Sequence, residues 1–430
     1  MRQTSQPSSS SPSARSSRSP LLLMALTVLI DFTGFGIIIP LLPFWAEHLG
    51  ANAVQVGLIL TVYSLAQFIF LPVLGRFSDR FGRRSIILWS LVIEAISLAL
   101  TAVSGSLVML LVARFIGGMG AANLGTAQAV VSDTTTPAER AKGMGIIGAA
   151  IGVGFVLGPA IGGGLATLGL AAPFWAAAGI ALINAALVFF LLPETHRPAR
   201  GASAGDASER PQGGFVAGLL ATLRSPAVAR LIAVNLLYTV AFTAMEAMYP
   251  LFSQRVFGWG ATQNAYIFVF VGVIMVIVQG GLVGRLAKLW GAQTLLLIGL
   301  ALLAAGLLLL PLGTTLAVML IAVGTLSAGS GAISSMSSAL ASLATSEETQ
   351  GQTLGVIQSS GGLGRVLGPV AAGWVFAVGG EGAPFVIGGL LTALALLVAL
   401  PRIPLWRHDD DSDERVAEQP GQEPKLAETR

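Results

Sequence analysis

The sequence predicts an all-α membrane protein of twelve transmembrane helices in two pseudo-symmetric six-helix halves. Three observations carry that prediction. First, 54% of the 430 residues are hydrophobic and only 10% are charged, whereas a soluble domain carries roughly 25% charged residues. Second, twelve uniformly apolar runs recur along the chain, each near the ~20 residues a helix needs to cross the hydrocarbon. Third, the later half repeats the glycine pattern of the earlier half. A transmembrane β-barrel is excluded by the runs themselves, because its strands would alternate apolar and polar residues over about 10 positions.

In chain order, residues 1–19 are rich in Ser and Pro, with Arg2, Arg15 and Arg18 and no acid, and are expected to form a disordered cytoplasmic tail. The apolar run after them is long and holds Asp31 and two prolines, so the start reads as an uncleaved tail rather than a signal peptide. A first six-helix half is expected over 20–192, with runs at 20–43, 54–74, 86–104, 107–132, 143–166 and 172–192. Residues 193–230 read as a cytoplasmic linker of charged, Gly, Ser and Pro residues, with a short surface helix around 215–223. The second half is expected over 231–400, with runs at 231–252, 264–284, 292–311, 315–342, 353–378 and 383–400. Residues 401–430 form an acidic tail, expected in the cytoplasm. With the N-terminus inside, 21 of the 24 Lys and Arg fall on inner segments, one (Arg255) falls on an outer loop, and two (Arg114 and Arg365) fall within spans. That bias predicts both termini in the cytoplasm.

The composition excludes several function classes. The chain has no cysteine, so disulfides, thiolate metal sites and a cysteine nucleophile are absent. The three histidines, His48, His196 and His408, lie far apart in sequence. A net charge of +3 does not suggest nucleic acid. No GxxxxGK[ST] sequence and no nucleophile–base constellation occur, so neither an ATP-driven pump nor an enzyme is expected. No metal and no cofactor are expected.

Glycines mark the internal repeat. Shifted by 210, Gly145, Gly154, Gly158, Pro159 and Gly163 fall on Gly355, Gly364, Gly368, Pro369 and Gly373. Shifted by 209, Gly75, Arg76 and Gly82 fall on Gly284, Arg285 and Gly291. Two six-span halves in parallel are an architecture of secondary transporters, with the site near the midplane between the halves.

The loop after the second span runs from Gly75 through Asp79, Arg80, Gly82, Arg83 and Arg84. Its glycines permit a tight turn, and Asp79 can pair with a base or cap a helix. The loop resembles the signature loop of the major facilitator superfamily, G-x-x-x-D-R-x-G-R-R/K. The resemblance implies a gate that locks the closed cytoplasmic face, with Asp133 at the inner end of the fourth span as a partner for Arg83. Lys288 stands at the acid's place in the second half, so the lock is expected on one side only.

The fifth span, with Gly145, Gly154, Gly158, Pro159, Gly162 and Gly163, resembles the antiporter motif of the drug:proton branch of that superfamily. Glycines at such spacing also let another helix approach closely. The first span, from Asp31 to Pro43, resembles that of twelve-span, tetracycline-efflux-like exporters. The fourth span, from Leu110 through Arg114 to Ala122, resembles the family's fourth-span motif, with Gly117 where Gln is usual. The resemblance covers about residues 20–400.

Five ionisable residues, Asp31, Glu94, Arg114, Glu246 and Arg365, fall inside apolar runs. A charge in lipid is costly and marks a functional site by default. In the family resembled, the first, fourth, seventh and tenth spans line the cavity. Asp31 and Glu246 are therefore expected to couple proton and substrate, with Arg114 tuning Asp31. Glu94, on a span usually peripheral, is expected to pair locally or stay protonated. Asn235, Tyr238, Phe242, Glu246 and Tyr249 share one face of the seventh span at helical spacing. With Tyr63, Gln67, Gln128, Ser334, Gln358 and Arg365 they make up the expected cavity wall.

The reading that results is a proton-coupled secondary transporter that exports small organic compounds, drugs among them, by alternating access. A sugar or metabolite permease of the same fold is the alternative, and a polar, Asn/Gln-rich cavity would favour it. The expected partners are a small-molecule substrate, protons and the lipid bilayer, with no nucleic acid, and the chain is expected to act as a monomer. None of the five asparagines begins an N-x-[ST] sequence. The expected location is a bacterial inner membrane.

Overall fold

A computed structural model describes residues 18–402 apart from 122, 136, 195–224 and 346. The tails, nearly all of the linker and its expected helix at 215–223 lie outside the described residues. Among the described residues, eleven helices are long and apolar enough to cross a membrane. A twelfth, Ala383–Ala399, has 17 residues, the short end of the spanning range. The first half holds Arg18–His48, Ala53–Phe81, Arg83–Ala102, a fourth span in two pieces (Leu107–Gly120 and Asn123–Thr134), Pro137–Leu165 and Ala172–Leu191. The second half holds Pro226–Phe257, an eighth span from Ala261 to Trp290 with a π-turn at Val278–Leu282, Ala292–Leu309, Leu316–Leu343, Glu347–Gly379 and the twelfth helix.

Local chemistry sets where the spans begin. Asn52 caps the second span by accepting from the Gln55 amide, while the Gln55 side chain accepts from the Asn52 amide. This reciprocal pair satisfies two donors that a helix start leaves free. Ser106 and Thr315 accept from the amides three residues on, at the starts of the fourth and tenth spans. Prolines stand in the first turns of the sixth, seventh and twelfth spans, where their missing N–H costs nothing.

The turns carry the repeat further than the sequence motifs do. Six glycines among the described residues have positive φ, and they form three pairs. Gly50 and Gly258 close the first and seventh spans, Gly82 and Gly291 join the second to the third and the eighth to the ninth, and Gly169 and Gly380 lead into the sixth and twelfth. An L side chain at such a φ is strained, so the same turn is made in the same way in each half.

The repeat also governs packing. Gly154, Gly158 and Gly162 lie four apart and turn one face of the fifth span onto the first. A Cβ placed on Gly158 would stand 2.6 Å from the Thr33 carbonyl oxygen and 2.7 Å from Gly36 Cα. In the second half, Gly364 and Gly368 press the eleventh span onto Thr239 and Val240 of the seventh in the same way. Between halves, Gly163 meets Ala265 of the eighth span, and its repeat mate Gly373 meets Ala53 of the second. The Thr262 hydroxyl donates to the Gly163 carbonyl at 3.1 Å, and the Thr61 hydroxyl donates to the Val366 carbonyl at 3.0 Å. The halves thus meet along two seams, fifth on eighth and second on eleventh. The third, sixth, ninth and twelfth spans flank them, and Trp89, Trp175, Phe190 and Trp374 are exposed.

These contacts make a graded prediction. Gly158→Ala forces overpacking, which costs roughly 1–3 kcal/mol, and lowers the melting temperature of the purified protein. Gly148→Ala leaves it unchanged, because a Cβ there meets nothing within 4 Å. Equal melting temperatures for the two variants would contradict the packing account.

Candidate functional site

A cavity of about 610 Å³ opens between the first, fifth, seventh, eighth and tenth spans. Ile39, Phe155, Phe242, Phe268 and Met275 make its wall apolar, and Glu246, Gln279, Ser334 and Ser335 supply its polar groups. No Lys, Arg or His lines it. The fifth and eighth spans, rather than the fourth, complete the wall. The fifth does so because Gly145, Gly148 and Gly152 carry no side chain to fill the space.

The expected residues divide in this geometry. Phe242, Glu246 and Ser334 line the cavity, as do Gly145 and Pro159. Tyr63, Gln67, Gln128, Asn235, Tyr238, Tyr249, Gln358 and Arg365 stand outside its lining. Gln67 donates to the Ala121 carbonyl at 3.2 Å, beside the break in the fourth span. Asn235 ties the seventh span to the eleventh by donating to the Ile357 carbonyl at 2.8 Å and to Ser360 Oγ at 3.0 Å. Tyr249 is fully buried, with its ring edge-on to Phe268. Gln128 and Tyr238 are half-buried. Gln358 and Arg365 are exposed, seven residues apart and so on one helix face.

The intramembrane charges collect beside this cavity. Asp31 of the first span and Glu94 of the third hydrogen-bond to one another, with Arg114 of the fourth in electrostatic reach of Glu94. Arg114 is only 3% exposed, and its guanidinium lies 4.3 Å from the centre of the Tyr63 ring. Tyr63 in turn lies in the field of Asp31, Glu94 and Arg365, and Arg365 reaches Glu246 and Tyr238. The five intramembrane charges therefore fall into an Asp31–Glu94–Arg114 group in the first half and, in the second, Glu246 in the field of Arg365, with Tyr63 in the field of both groups.

Glu94 belongs to this group, and its local partner is Asp31. The signal was present in the sequence. Ser90, Glu94 and Ser97 share one face of the third span, and that face turns inward, with Ser90 and Ser97 each 1% exposed. Ser97 donates to the Ala113 carbonyl at 2.7 Å. Gly117 permits this approach, since a Cβ there would collide with the Ser97 hydroxyl.

The loop motif forms a cluster within the first half. Arg83 meets Asp79 at 2.7 Å and Asp133 at 3.2 Å, and donates to Ser78 Oγ at 3.0 Å. Glu194, read from the sequence only as a linker acid, accepts from the Arg83 amide at 2.8 Å and so holds the start of the third span. Arg80 lies over the Phe81 ring, and Arg84 lies over the Phe189 ring and donates to the Phe189 carbonyl. Gly75 has open space around it, while Gly82 makes the turn and faces the Glu194 carboxylate.

The two ends of the molecule differ. At the end bearing this loop, Gly145 and Gly148 of the first half and Gly280 of the second line the cavity, and a Cβ on any of them would meet no described atom within 4 Å, so the cavity separates these spans there. At the opposite end, Glu47 of the first span hydrogen-bonds Gln254 of the seventh and lies in the field of Arg255. Arg255 also meets Glu381 at 3.6 Å and lies over the Phe376 ring at 4.8 Å. There the halves are joined.

The Arg114–Tyr63 contact is testable by shape against charge. Tyr63→Phe keeps the ring and leaves the melting temperature near that of the parent. Tyr63→Leu removes a desolvated cation–π contact, on the order of 2 kcal/mol, and lowers it. Equal effects of the two variants would mean that the ring does not hold the guanidinium.

Comparison with known proteins agrees with this geometry. The sequence profile described as Major Facilitator Superfamily matches residues 24–291 and 280–427. The class D tetracycline resistance protein of Salmonella ordonez is 31% identical over 398 residues, covering 89% of this chain and 98% of that one. Multidrug resistance protein 2 of Bacillus subtilis (strain 168) is 30% identical over 278 residues, covering 64% and 68%. The crystal structure of the human organic anion transporter MFSD10 (TETRAN) is similar at a TM-score of 0.67 and 26% identity, covering 89% of this chain and 99% of that one. With twelve helices in two repeated halves and a profile match along nearly its whole length, the chain belongs to the Major Facilitator Superfamily.

Proposed function

We propose that this chain is a proton-coupled exporter of small organic compounds that works by alternating access, with its basic end in the cytoplasm of a bacterial cell. The observation that carries the reading is the Asp31–Glu94 hydrogen bond beside Arg114. Two carboxyl groups can bond to each other only if one of them holds a proton. Moving the spans apart breaks that bond and frees the proton, while Arg114 stabilises the carboxylate left behind. Proton release is thereby tied to a change of conformation.

The cavity favours the substrate's character. Its aromatic and aliphatic wall suits an amphipathic compound, and its one carboxylate, with no base in the lining, suits one that carries positive charge. A cation arriving at Glu246 competes with Arg365. Compounds of this kind are compatible with relatives named for tetracycline and multidrug resistance. A sugar permease would need a denser set of amides and hydroxyls than Gln279, Ser334 and Ser335 provide. The arrangement in which the basic end stands open and the opposite end is tied by Glu47, Gln254 and Arg255 is read as the inward-facing state of the cycle.

Two experiments test the reading. In inverted membrane vesicles, a pH gradient drives uptake of ethidium or tetracycline by the parent protein. Asp31→Asn and Glu94→Gln each reduce gradient-driven uptake at least tenfold but retain substrate exchange without a gradient. Full gradient-driven uptake by both variants would overturn the coupling site. Since the chain has no cysteine, the pair Glu47→Cys and Gln254→Cys reports directly on the end opposite the basic loop. It cross-links readily without substrate, and the yield falls during turnover. A yield unchanged by turnover would argue against alternating access at this seam.

A further inference from the structure

A second concavity lies far from the cavity described above, on the surface between the third and sixth spans. It encloses about 500 Å³ and is lined by Ser85, Leu88, Trp89 and Val92 on one side and by Ala185, Ala186, Phe189 and Phe190 on the other. The first four residues share one face of the third span at helical spacing. The two alanines leave the depression into which the aromatic rings open. Trp89 is 65% exposed and Phe190 79%, so no described residue covers these rings. The groove runs along the last turns of the sixth span and the first turns of the third, at the basic end of the bundle.

Arg84 stands at the mouth of the groove. Its guanidinium lies 5.5 Å from the Phe189 ring centre and donates to the Phe189 carbonyl. Its Nε is buried with no hydrogen-bond partner. The neighbouring acids are engaged elsewhere: Asp79 and Asp133 pair with Arg83, and Glu194 accepts from the Arg83 amide. Arg84 has no carboxylate partner among the ion pairs of the described residues. Arg76, Arg80, Arg83 and Arg84 outnumber the neighbouring acids Asp79, Asp133 and Glu194 by one, and Arg83 is the base that Asp79 and Asp133 engage. A guanidinium of this kind pairs with phosphate through two parallel hydrogen bonds. Basic residues at the hydrocarbon edge attract anionic headgroups.

We propose that this groove binds one anionic phospholipid of the leaflet at the basic end, with its phosphate on Arg84 and an acyl chain laid along Trp89, Val92 and Phe190. The bound lipid braces the sixth span against the third, and so braces the loop cluster around Arg83. Apolar contact alone would take any phospholipid. The Arg84 charge makes the site prefer an anionic one.

Trp89 supplies the readout. The full chain is placed in phosphatidylcholine nanodiscs containing a tenth of brominated phosphatidylglycerol or, separately, brominated phosphatidylcholine. Subtracting the quenching seen in Trp89→Phe isolates the signal of Trp89. The expected result is at least threefold more Trp89 quenching by the brominated glycerol lipid. Arg84→Gln should abolish that difference while leaving the common level. Ala186→Leu, which fills the groove with Arg84 intact, should lower quenching by both lipids. Equal quenching by the two lipids in the parent protein, or a preference that survives Arg84→Gln, would overturn the proposal. So would an absence of Trp89 quenching, which would mean that another part of the chain, such as the linker, covers the groove.

Discussion

An isolated charge in hydrocarbon is so unfavourable that it must be paired, and that constraint organises the interior of this protein. Five ionisable side chains sit within its spans. Asp31 and Glu94 hydrogen-bond across the first and third spans, and Arg114 of the fourth lies in the field of Glu94 with the Tyr63 ring against its guanidinium. Glu246 of the seventh lies in the field of Arg365 of the eleventh. Such groups can meet only if the first, third and fourth spans, and likewise the seventh and eleventh, are held in register. Packing and polar chemistry are therefore one problem here. The apolar faces alone would allow helices to slide or rotate, whereas the charges would not.

Glycine solves the packing side of that problem. Hydrocarbon gives helices little hydrophobic reason to associate, so close backbone approach and van der Waals contact must supply the attraction. Gly154, Gly158 and Gly162 bring the fifth span against the first at backbone distance, with Gly154 against Leu29 and Phe32 on either side of Asp31. Gly364 and Gly368 repeat the arrangement in the second half. Each half is thereby a tightly fitted body. The seams between halves are joined at one end and open at the other. Smooth, side-chain-poor seams are suited to rocking, because few interlocked side chains must be undone. In the proposed cycle, other glycines of the fifth span, Gly145, Gly148 and Gly152, leave the space where a substrate enters.

The fold was legible in the sequence because its signals are long and redundant. Twelve apolar runs, a 21-to-1 charge bias and a glycine pattern repeated at 210 residues are each hard to produce by accident. The pairing of positive-φ glycines was less visible, since a glycine's φ is not written in its neighbours. The site was legible in part. Intramembrane charges announce themselves by cost, so all five can be named from the sequence, and Phe242, Glu246 and Ser334 line the cavity. Which charge faces which depends on helix rotation. Glu94 reads from the sequence as a local pair on a usually peripheral span, and the inward turn of Ser90 and Ser97 on its face is what brings it to Asp31. Tyr249 shares a helix face with Glu246 but lies nearer the sealed end, where the same stripe becomes packing. Glu194 looked like linker because its partner, the start of the third span, is more than a hundred residues away in sequence.

The central claim is that the Asp31–Glu94 pair holds a proton that is given up when substrate is engaged. The most direct measurement is proton release itself, from purified protein in weakly buffered detergent solution with a pH indicator, on addition of ethidium. The account predicts release that saturates with ligand and approaches one proton per protein. It predicts no release from Asp31→Asn protein that still binds ethidium. Saturating ligand binding by the parent protein with no proton released would contradict it.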